Sequence, residues 1–446
     1  MPRLFGTDGV RGLANAELTP ELALALGRAA VGALDDERPG RPLVIVGRDP
    51  RASGQLLESA LVAGILSAGG DAVLAGILPT PAIAFLTRHY HAWAGAMISA
   101  SHNAMPDNGI KFFGSEGFKL PDALEDRIEA ALSLDDQGAP RPVGAEVGSA
   151  RMARDAAEAY LDHLLEGIPD LGGLEVVVDC ANGAAARVAP EAYRRAGARV
   201  SAIAADPDGR NINHGCGSNH PEAVREAVVR QGAAVGLAHD GDADRLIAVD
   251  ERGELIDGDV ILAIAALDER ERGGLLTGTV VTTVMTNLGF RRAMAERGIE
   301  VVQAAVGDRY VLETMRAGGH TLGGEQSGHI IFLDRATTGD GILTGLRLLG
   351  IVARSGRPLS ELAQVMLRLP QVLVNVRVAA RERLRASEAT WRTVGEEEGR
   401  LGQRGRVLVR ASGTEPLVRV MVEAESVGEA RDVARRIAAV IERELG

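Results

Sequence analysis

Three stretches of this chain repeat one order of events: an apolar strand, a polar or glycine-containing loop, a helix, a glycine and a second apolar strand. That order is the grammar of βαβ units. In the first, Leu43-Val44-Ile45-Val46 leads through Gly47-Arg48-Asp49 to a helix near 54–68, then Gly69-Gly70 and Ala72-Val73-Leu74. In the second, Glu175-Val176-Val177-Val178 precedes Asn182-Gly183, a helix to Arg195, Gly197 and Arg199-Val200. In the third, Val280–Val284 precedes Asn287-Leu288-Gly289, a helix, Gly298 and Glu300-Val301-Val302. More than 70 residues separate successive units, which fits three related α/β domains better than one long doubly wound sheet.

A chain of 446 residues exceeds what one core organises and allows two to four domains. Linkers are expected at 135–150, rich in Gly, Pro and acidic residues, and at 250–258, which contains Gly253 and Gly258. Pro370 marks a third boundary. Beyond it, alternating Val372–Val378, a charged helix, strands Arg406–Arg410 and Leu417–Val422 and an amphipathic helix over 428–444 describe a small α+β domain. The expected domains are 1–150, 151–250, 251–369 and 370–446.

Net charge of −12 argues against nucleic-acid binding, which draws its affinity from clustered cations. No apolar run reaches the length of a membrane span, and the N-terminus lacks the apolar core of a secretory signal, so a cytoplasmic protein is expected. Cys180 and Cys216 match neither a disulfide framework nor a zinc spacing. Lysine occurs at Lys111 and Lys119 alone, every other side-chain cation of the Lys/Arg pair being Arg. A lysine kept beside a chemical motif suits acid/base work or phosphate contact, because its pKa can be tuned whereas that of Arg cannot.

Four motifs could carry chemistry. Ser99-Ala100-Ser101-His102-Asn103 follows the apolar run Ala94–Met97 and sits on a loop leaving a strand; it lacks the G-x-S-x-G of a hydrolase elbow, and a capping or turn role explains it as well as chemistry does. His239-Asp240-Gly241-Asp242-Ala243-Asp244-Arg245 lies between two apolar strands, and its three carboxylates can converge as hard oxygen ligands for Mg²⁺. An EF-hand is rejected because Arg245 stands where the loop needs Gly and the flanks read as strands, although Glu251 falls at the twelfth position. Arg410-Ala411-Ser412-Gly413-Thr414-Glu415-Pro416-Leu417-Val418-Arg419 joins two strands and could cradle a phosphate with its backbone and two guanidinium groups, or form a plain hairpin. Gly323-Gly324-Glu325-Gln326-Ser327-Gly328-His329 offers a carboxylate, a hydroxyl and an imidazole suited to sugar hydroxyls and an amine, or a solvated turn.

Taken in order, FGTDGVRG at 5–12, SASHN at 99–103, DGDADR at 240–245, GGEQSGH at 323–329 and RASGTEPLVRVM at 410–421 resemble the α-D-phosphohexomutase superfamily over the whole chain. The FGTDG opening, the EQSGH loop and LDRATTGDG at 333–341 are similar to its amino-sugar-phosphate branch, with the phosphomannomutase and phosphoglucomutase branch as the alternative. The resemblance implies three α/β domains with mixed sheets and a smaller fourth domain around a central cleft. It implies an intramolecular phosphotransferase acting on a phosphosugar, with Ser101 as a phosphoserine, Ser99 as its unmodified neighbour, and Asp240, Asp242 and Asp244 binding Mg²⁺ together with a phosphoserine oxygen. Arg245 would contact the transferred group. Glu325 and Ser327 would bind sugar hydroxyls, and Arg410, Ser412, Gly413, Thr414 and Arg419 the non-reacting phosphate. Lys111, His102 and His329 fall at positions of acid/base work or phosphate contact. A hexose 1,6-bisphosphate or a kinase would prime the serine. Ala104 stands where the family often has Pro, and Pro106 follows.

Overall fold

The computed structural model describes residues 3–6, 8–34, 40–133, 141–412 and 415–446. Contacts divide the chain into two units: Met1–Val284 with Val302–Gln364, and Met285–Val301 with Val365–Gly446.

The first sheet holds β1 (Val10–Leu13), β2 (Leu43–Arg48), β3 (Asp71–Ile77), β4 (Ala94–Ile98), β5 (Asp107–Gly114) and β6 (Ala150–Met152), in the order β1-β5-β4-β2-β3-β6. The second holds β7 (Glu175–Asp179), β8 (Arg199–Ile203), β9 (Val235–His239), β10 (Leu246–Asp250) and β11 (Leu255–Ile256), in the order β11-β10-β9-β7-β8. The third holds β12 (Thr279–Thr283), β13 (Glu300–Ala304), β14 (Leu322–Gly324) and β15 (Ile330–Phe332), in the order β13-β12-β14-β15.

One core recurs in all three: β3-β2-β4-β5, β8-β7-β9-β10 and β13-β12-β14-β15. In each, the first strand pairs in parallel with the third, and the third pairs antiparallel with the fourth. The sheets are therefore mixed and the domains related, as the repeats require. Strands β4 and β9 are buried along their whole length, which explains why Ala-Gly-Ala-Met-Ile and Val-Gly-Leu-Ala-His read as continuous runs rather than alternating ones. The reversal from third to fourth strand is the connection that matters. It holds Ser99–Asn103 in the first repeat, Asp240–Arg245 in the second and Glu325–His329 in the third.

Strands begin within two of the expected linkers. Residues 250–258 include β11, which pairs antiparallel with β10 across a turn where Asp250 accepts from the Arg252 and Glu254 amides and Gly253 takes φ +83°. At the end of 135–150, Ala150 opens β6, which runs parallel to β3. Both segments are too short to show strand periodicity.

A buried carboxyl anchors the helix after the third sheet. Asp340 caps Gly341–Ser355, accepting from the Ile342 and Leu343 amides at 3.0 and 2.9 Å and from Tyr160 Oη at 2.8 Å. Burial pushes its pKa up to about 6. The folded state thus binds more protons than the unfolded state between pH 4 and 6, so this carboxyl's contribution to stability falls as pH rises through that window. The melting temperature of Asp340→Asn relative to the parent should therefore rise between pH 4.5 and 7.5, by the equivalent of roughly 2 kcal/mol. A flat difference across that range would show that the carboxyl is not burdened by its burial.

The second unit contains an antiparallel sheet of β16 (Gln371–Arg377), β17 (Arg406–Ala411) and β18 (Leu417–Glu423), in the order β16-β18-β17, with the helices Glu388–Leu401 and Val427–Leu445. It takes in the helix Leu288–Glu296. The reason is Glu423, buried on β18: its carboxylate accepts from the Leu288 amide at 2.8 Å, from Asn287 Nδ2 and from Arg406.

Candidate active site

Ser101 is buried and left-handed, with φ 51°. A non-glycine residue holds that conformation at a cost of order 1–3 kcal/mol and needs its surroundings to enforce it. Its amide donates to Ser99 Oγ at 2.9 Å, and Ser99 Oγ donates to Asp49 Oδ2 at 2.6 Å. Ser101 Oγ donates to Asp240 Oδ2 at 2.5 Å, across from the second repeat. Gly241 makes that approach possible, since a Cβ there would lie 2.5 Å from the Ser101 carbonyl oxygen.

Asp240, Asp242 and Asp244 are all buried, with one carboxylate oxygen from each lying within 4.8 Å of the others. Each keeps its Oδ1 without a hydrogen-bond partner. Burial and the neighbouring charges of Asp244 and Asp242 drive the Asp240 carboxyl well above the usual carboxylate range. Three buried carboxylates that converge and each keep an unpartnered oxygen fit a divalent cation, whose charge would reverse that shift. The EF-hand rival fails here too, because Glu251 is bonded to the Ser360 amide and hydroxyl.

The cations of the site approach the same carboxylates. Lys111 Nζ lies 2.9 Å from Asp242 Oδ2 and 3.8 Å from Asp244 Oδ2. Burial lowers the pKa of that lysine, but the two aspartates more than offset it and hold the ammonium charged. Arg245 Nε lies 3.7 Å from Asp244 Oδ1. His329 Nδ1 lies 3.7 Å from Asp244 Oδ2, while its Nε2 accepts from the Gly339 amide at 3.0 Å. Burial raises Asp244, yet His329, Lys111 and Arg245 together keep it well below the usual range. His102 is different: burial, with Arg245 and Arg11 nearby, pushes it down to about 4, so it is neutral at neutral pH; its Nδ1 stands 3.4 Å from Ser101 Oγ.

The third loop joins the second through the Leu246 amide, which donates to the Gly328 carbonyl at 3.0 Å. Glu325 Oε1 accepts from the Gly307 amide at 3.1 Å, and burial raises its pKa. Ser327 Oγ is buried without a partner. The structure thus brings together Ser99, Ser101, His102, Lys111, Asp240, Asp242, Asp244, Arg245, Glu325, Ser327 and His329. Arg410 and Arg419 lie in the other unit, directly opposite each other on β17 and β18. Burial, with the like charge of Arg419 across the ladder, lowers the pKa of Arg410, which is the condition an anion would relieve. Ser412 Oγ accepts from the Glu415 amide at 3.3 Å; Gly413 and Thr414 lie outside the described residues.

Five residues of the site were not anticipated. Thr80 donates to Asp242 Oδ2 at 2.6 Å, Asp308 accepts from Lys119 at 2.5 Å, and Asp49, Arg51 and Asn213 hold the Ser101 loop. In the C-terminal unit Arg381 clasps the Ser412 and Glu415 carbonyls.

The architecture and motifs have counterparts over the full chain. Descriptions of phosphoglucomutase/phosphomannomutase match as alpha/beta/alpha domain I over residues 2–138, domain II over 158–253, domain III over 257–369 and the C-terminal domain over 373–440. The chain belongs to the phosphoglucomutase/phosphomannomutase family. Among its relatives in that family are the phosphoglucosamine mutases of Symbiobacterium thermophilum, 56% identical, and Streptomyces avermitilis, 58% identical, each matched over 100% of both chains. A phosphoglucomutase/phosphomannomutase family protein from Burkholderia thailandensis superimposes with a TM-score of 0.82 at 25% identity, over 100% of this chain and 98% of that one. The N-acetylphosphoglucosamine mutase of Aspergillus fumigatus, solved with GlcNAc-6P and magnesium, shares the fold with a TM-score of 0.68 at 19% identity, over 99% and 95%. Family membership makes the chain an isomerase, an intramolecular phosphotransferase. Among the described residues no helix is long and apolar enough to cross a membrane.

Proposed function

We propose that the protein interconverts glucosamine 6-phosphate and glucosamine 1-phosphate, with a phosphorylated Ser101 as phosphoryl donor and a bound 1,6-bisphosphate between the two half-reactions. One observation carries this reading: the Ser101 hydroxyl lies 2.5 Å from Asp240, at a set of three buried carboxylates that each retain an unpartnered oxygen. A serine facing a cation site suits a stored phosphoester, whose charge the cation offsets, better than an alcohol awaiting a base. Full-length relatives at 56–58% identity that are named phosphoglucosamine mutase support the amino-sugar substrate.

Asp240, Asp242 and Asp244 would hold Mg²⁺, which neutralises phosphoryl charge and stabilises the serine oxygen as a leaving group. Ser101 passes its phosphoryl group to O1 of the 6-phosphate, the bisphosphate turns over, and the 6-phosphoryl group returns to Ser101. Lys111, held as an ammonium, and Arg245 offset charge on the group in transit. The accepting hydroxyl must lose a proton, and neutral His102 is able to take it. Glu325 and Ser327 bind the sugar, the carboxylate being suited to its ammonium group. Arg410, Ser412, Gly413, Thr414 and Arg419 hold whichever phosphate is not reacting. A hexose 1,6-bisphosphate or a kinase charges Ser101 first.

Turnover followed by phosphorus NMR, with Mg²⁺ and a priming bisphosphate, tests the assignment. Glucosamine 6-phosphate should be converted at least about tenfold more efficiently than glucose 6-phosphate or mannose 6-phosphate, the discrimination expected of a site built to pair an ammonium group. Equal or better turnover of the neutral sugars would make the protein a phosphoglucomutase or phosphomannomutase, and no turnover of any would leave a phosphosugar-binding protein.

A further inference from the structure

Arg51 has no part in the assignment above, yet its guanidinium is almost completely shut off from solvent and spends its donors on one object. Its Nη2 donates to the Ser101 and Asn103 carbonyls, both at 2.9 Å. Its Nη1 donates to the Ala104 carbonyl at 2.5 Å and the Asp107 carbonyl at 3.1 Å. Its Nε donates to Asp49 Oδ2 at 2.8 Å, the same carboxylate oxygen that receives Ser99 Oγ. From the second repeat, Asn213 Nδ2 donates to the Ser101 carbonyl at 2.8 Å and the Asn103 carbonyl at 3.0 Å. Asn213 is itself left-handed, with φ 57°. Ser101 is therefore held at both of its backbone polar groups: the amide by Ser99, the carbonyl by Arg51 and Asn213.

We infer that Arg51 and Asn213 are positioning residues for the phosphoryl-carrying serine, fixing the left-handed backbone of Ser101 so that its Oγ faces the Asp240 carboxylate. This rests on the reading of Ser101 as the phosphoryl donor. Four carbonyls turned inward toward one point need a planar fork of donors, and Arg supplies it; an ammonium satisfies fewer of them and leaves the others buried without partners. Neither residue touches the reacting atoms, so their loss misdirects Oγ without removing a substrate contact. A misplacement of about 1 Å costs on the order of 10²-fold in rate, and it falls on the chemical step.

The test begins with the parent protein, where conversion of glucosamine 6-phosphate and labelling of Ser101 by labelled glucose 1,6-bisphosphate establish the underlying reading on their own. If neither occurs, that reading has failed and not this one. With both in hand, Arg51→Lys should lose about 10²-fold in kcat while KM for glucosamine 6-phosphate moves less than about threefold. Asn213→Ala, which leaves the core of the first repeat untouched, should lose about tenfold in kcat with KM again unmoved. In Arg51→Ala, added guanidinium should restore kcat saturably, and ammonium at equal concentration should not. Parental kcat in Asn213→Ala or Arg51→Lys overturns the inference. So does an Arg51→Ala protein that folds and binds guanidinium, as read by a raised melting temperature, yet regains no turnover. Should Arg51→Ala fail to fold, Asn213→Ala decides the matter.

Discussion

Ser101→Ala is expected to lower turnover of glucosamine 6-phosphate by more than about 10³-fold and to abolish labelling of the protein by a labelled bisphosphate. The size follows from what the hydroxyl does. In a mutase of this design the serine gives its phosphoryl group to one sugar oxygen and takes a phosphoryl group back from the other, so without the serine oxygen there is no carrier for either half-reaction. The loop should survive the change. Its conformation is enforced through backbone groups: the Ser101 amide bonded to Ser99, and the carbonyls of 101, 103, 104 and 107 bonded to Arg51 and Asn213. The side chain contributes a hydrogen bond to Asp240 and none to the loop's own backbone. Circular dichroism should match the parent, and the melting temperature should stay within about 4 °C of it. Labelled phosphate on Ser101→Ala, or turnover within tenfold of the parent, would place the carrier elsewhere.

The parts of this site that could be read in advance are those in which adjacent residues cooperate. Asp240, Asp242 and Asp244 alternate along a single loop between two apolar strands, so their convergence is a local property, and the structure adds the unpartnered oxygens. The repeat of βαβ units was legible for the same reason, being written in runs of four or five apolar residues and the glycines that end them. The devices that hold the site together are written across long separations. Arg51 meets carbonyls about fifty residues away, Asn213 reaches back across 110 and 112, and Thr80 meets Asp242 across 162. A threonine at the start of a helix or an arginine after a strand carries no mark of such a partner. Short strands escaped for another reason: β11 has two residues and β6 three, too few to display a period. The attachment of Leu288–Glu296 to the C-terminal unit runs through buried Glu423, whose partners Leu288 and Asn287 lie 135 and 136 residues away.

Removing divalent cations should silence the parent enzyme and weaken it at the same time, and the two effects should separate in Asp240→Asn. Burial and the two adjacent carboxylates push the Asp240 carboxyl well above the usual carboxylate range. Lys111 and Arg245 offset part of that charge but approach Asp242 and Asp244 rather than Asp240. A cation held by Asp240, Asp242 and Asp244 would relieve the crowding and stabilise the folded state by mass action, about 2.7 kcal/mol when the ion is present at a hundred times its dissociation constant. Chelation should thus take turnover to background and lower the melting temperature by several degrees, with both restored saturably by Mg²⁺. Asp240→Asn keeps the shape of the side chain and removes one of the crowded charges. Metal-free, it should melt at or above the metal-free parent, because the change removes a repulsion that Lys111 and Arg245 offset only in part. It should also be inactive and show little thermal response to Mg²⁺. If Mg²⁺ raised the melting temperature of Asp240→Asn as much as that of the parent, the ion would be binding somewhere other than this loop. If metal-free Asp240→Asn instead melted well below the parent, the three carboxylates would not be repelling one another as their burial and spacing require.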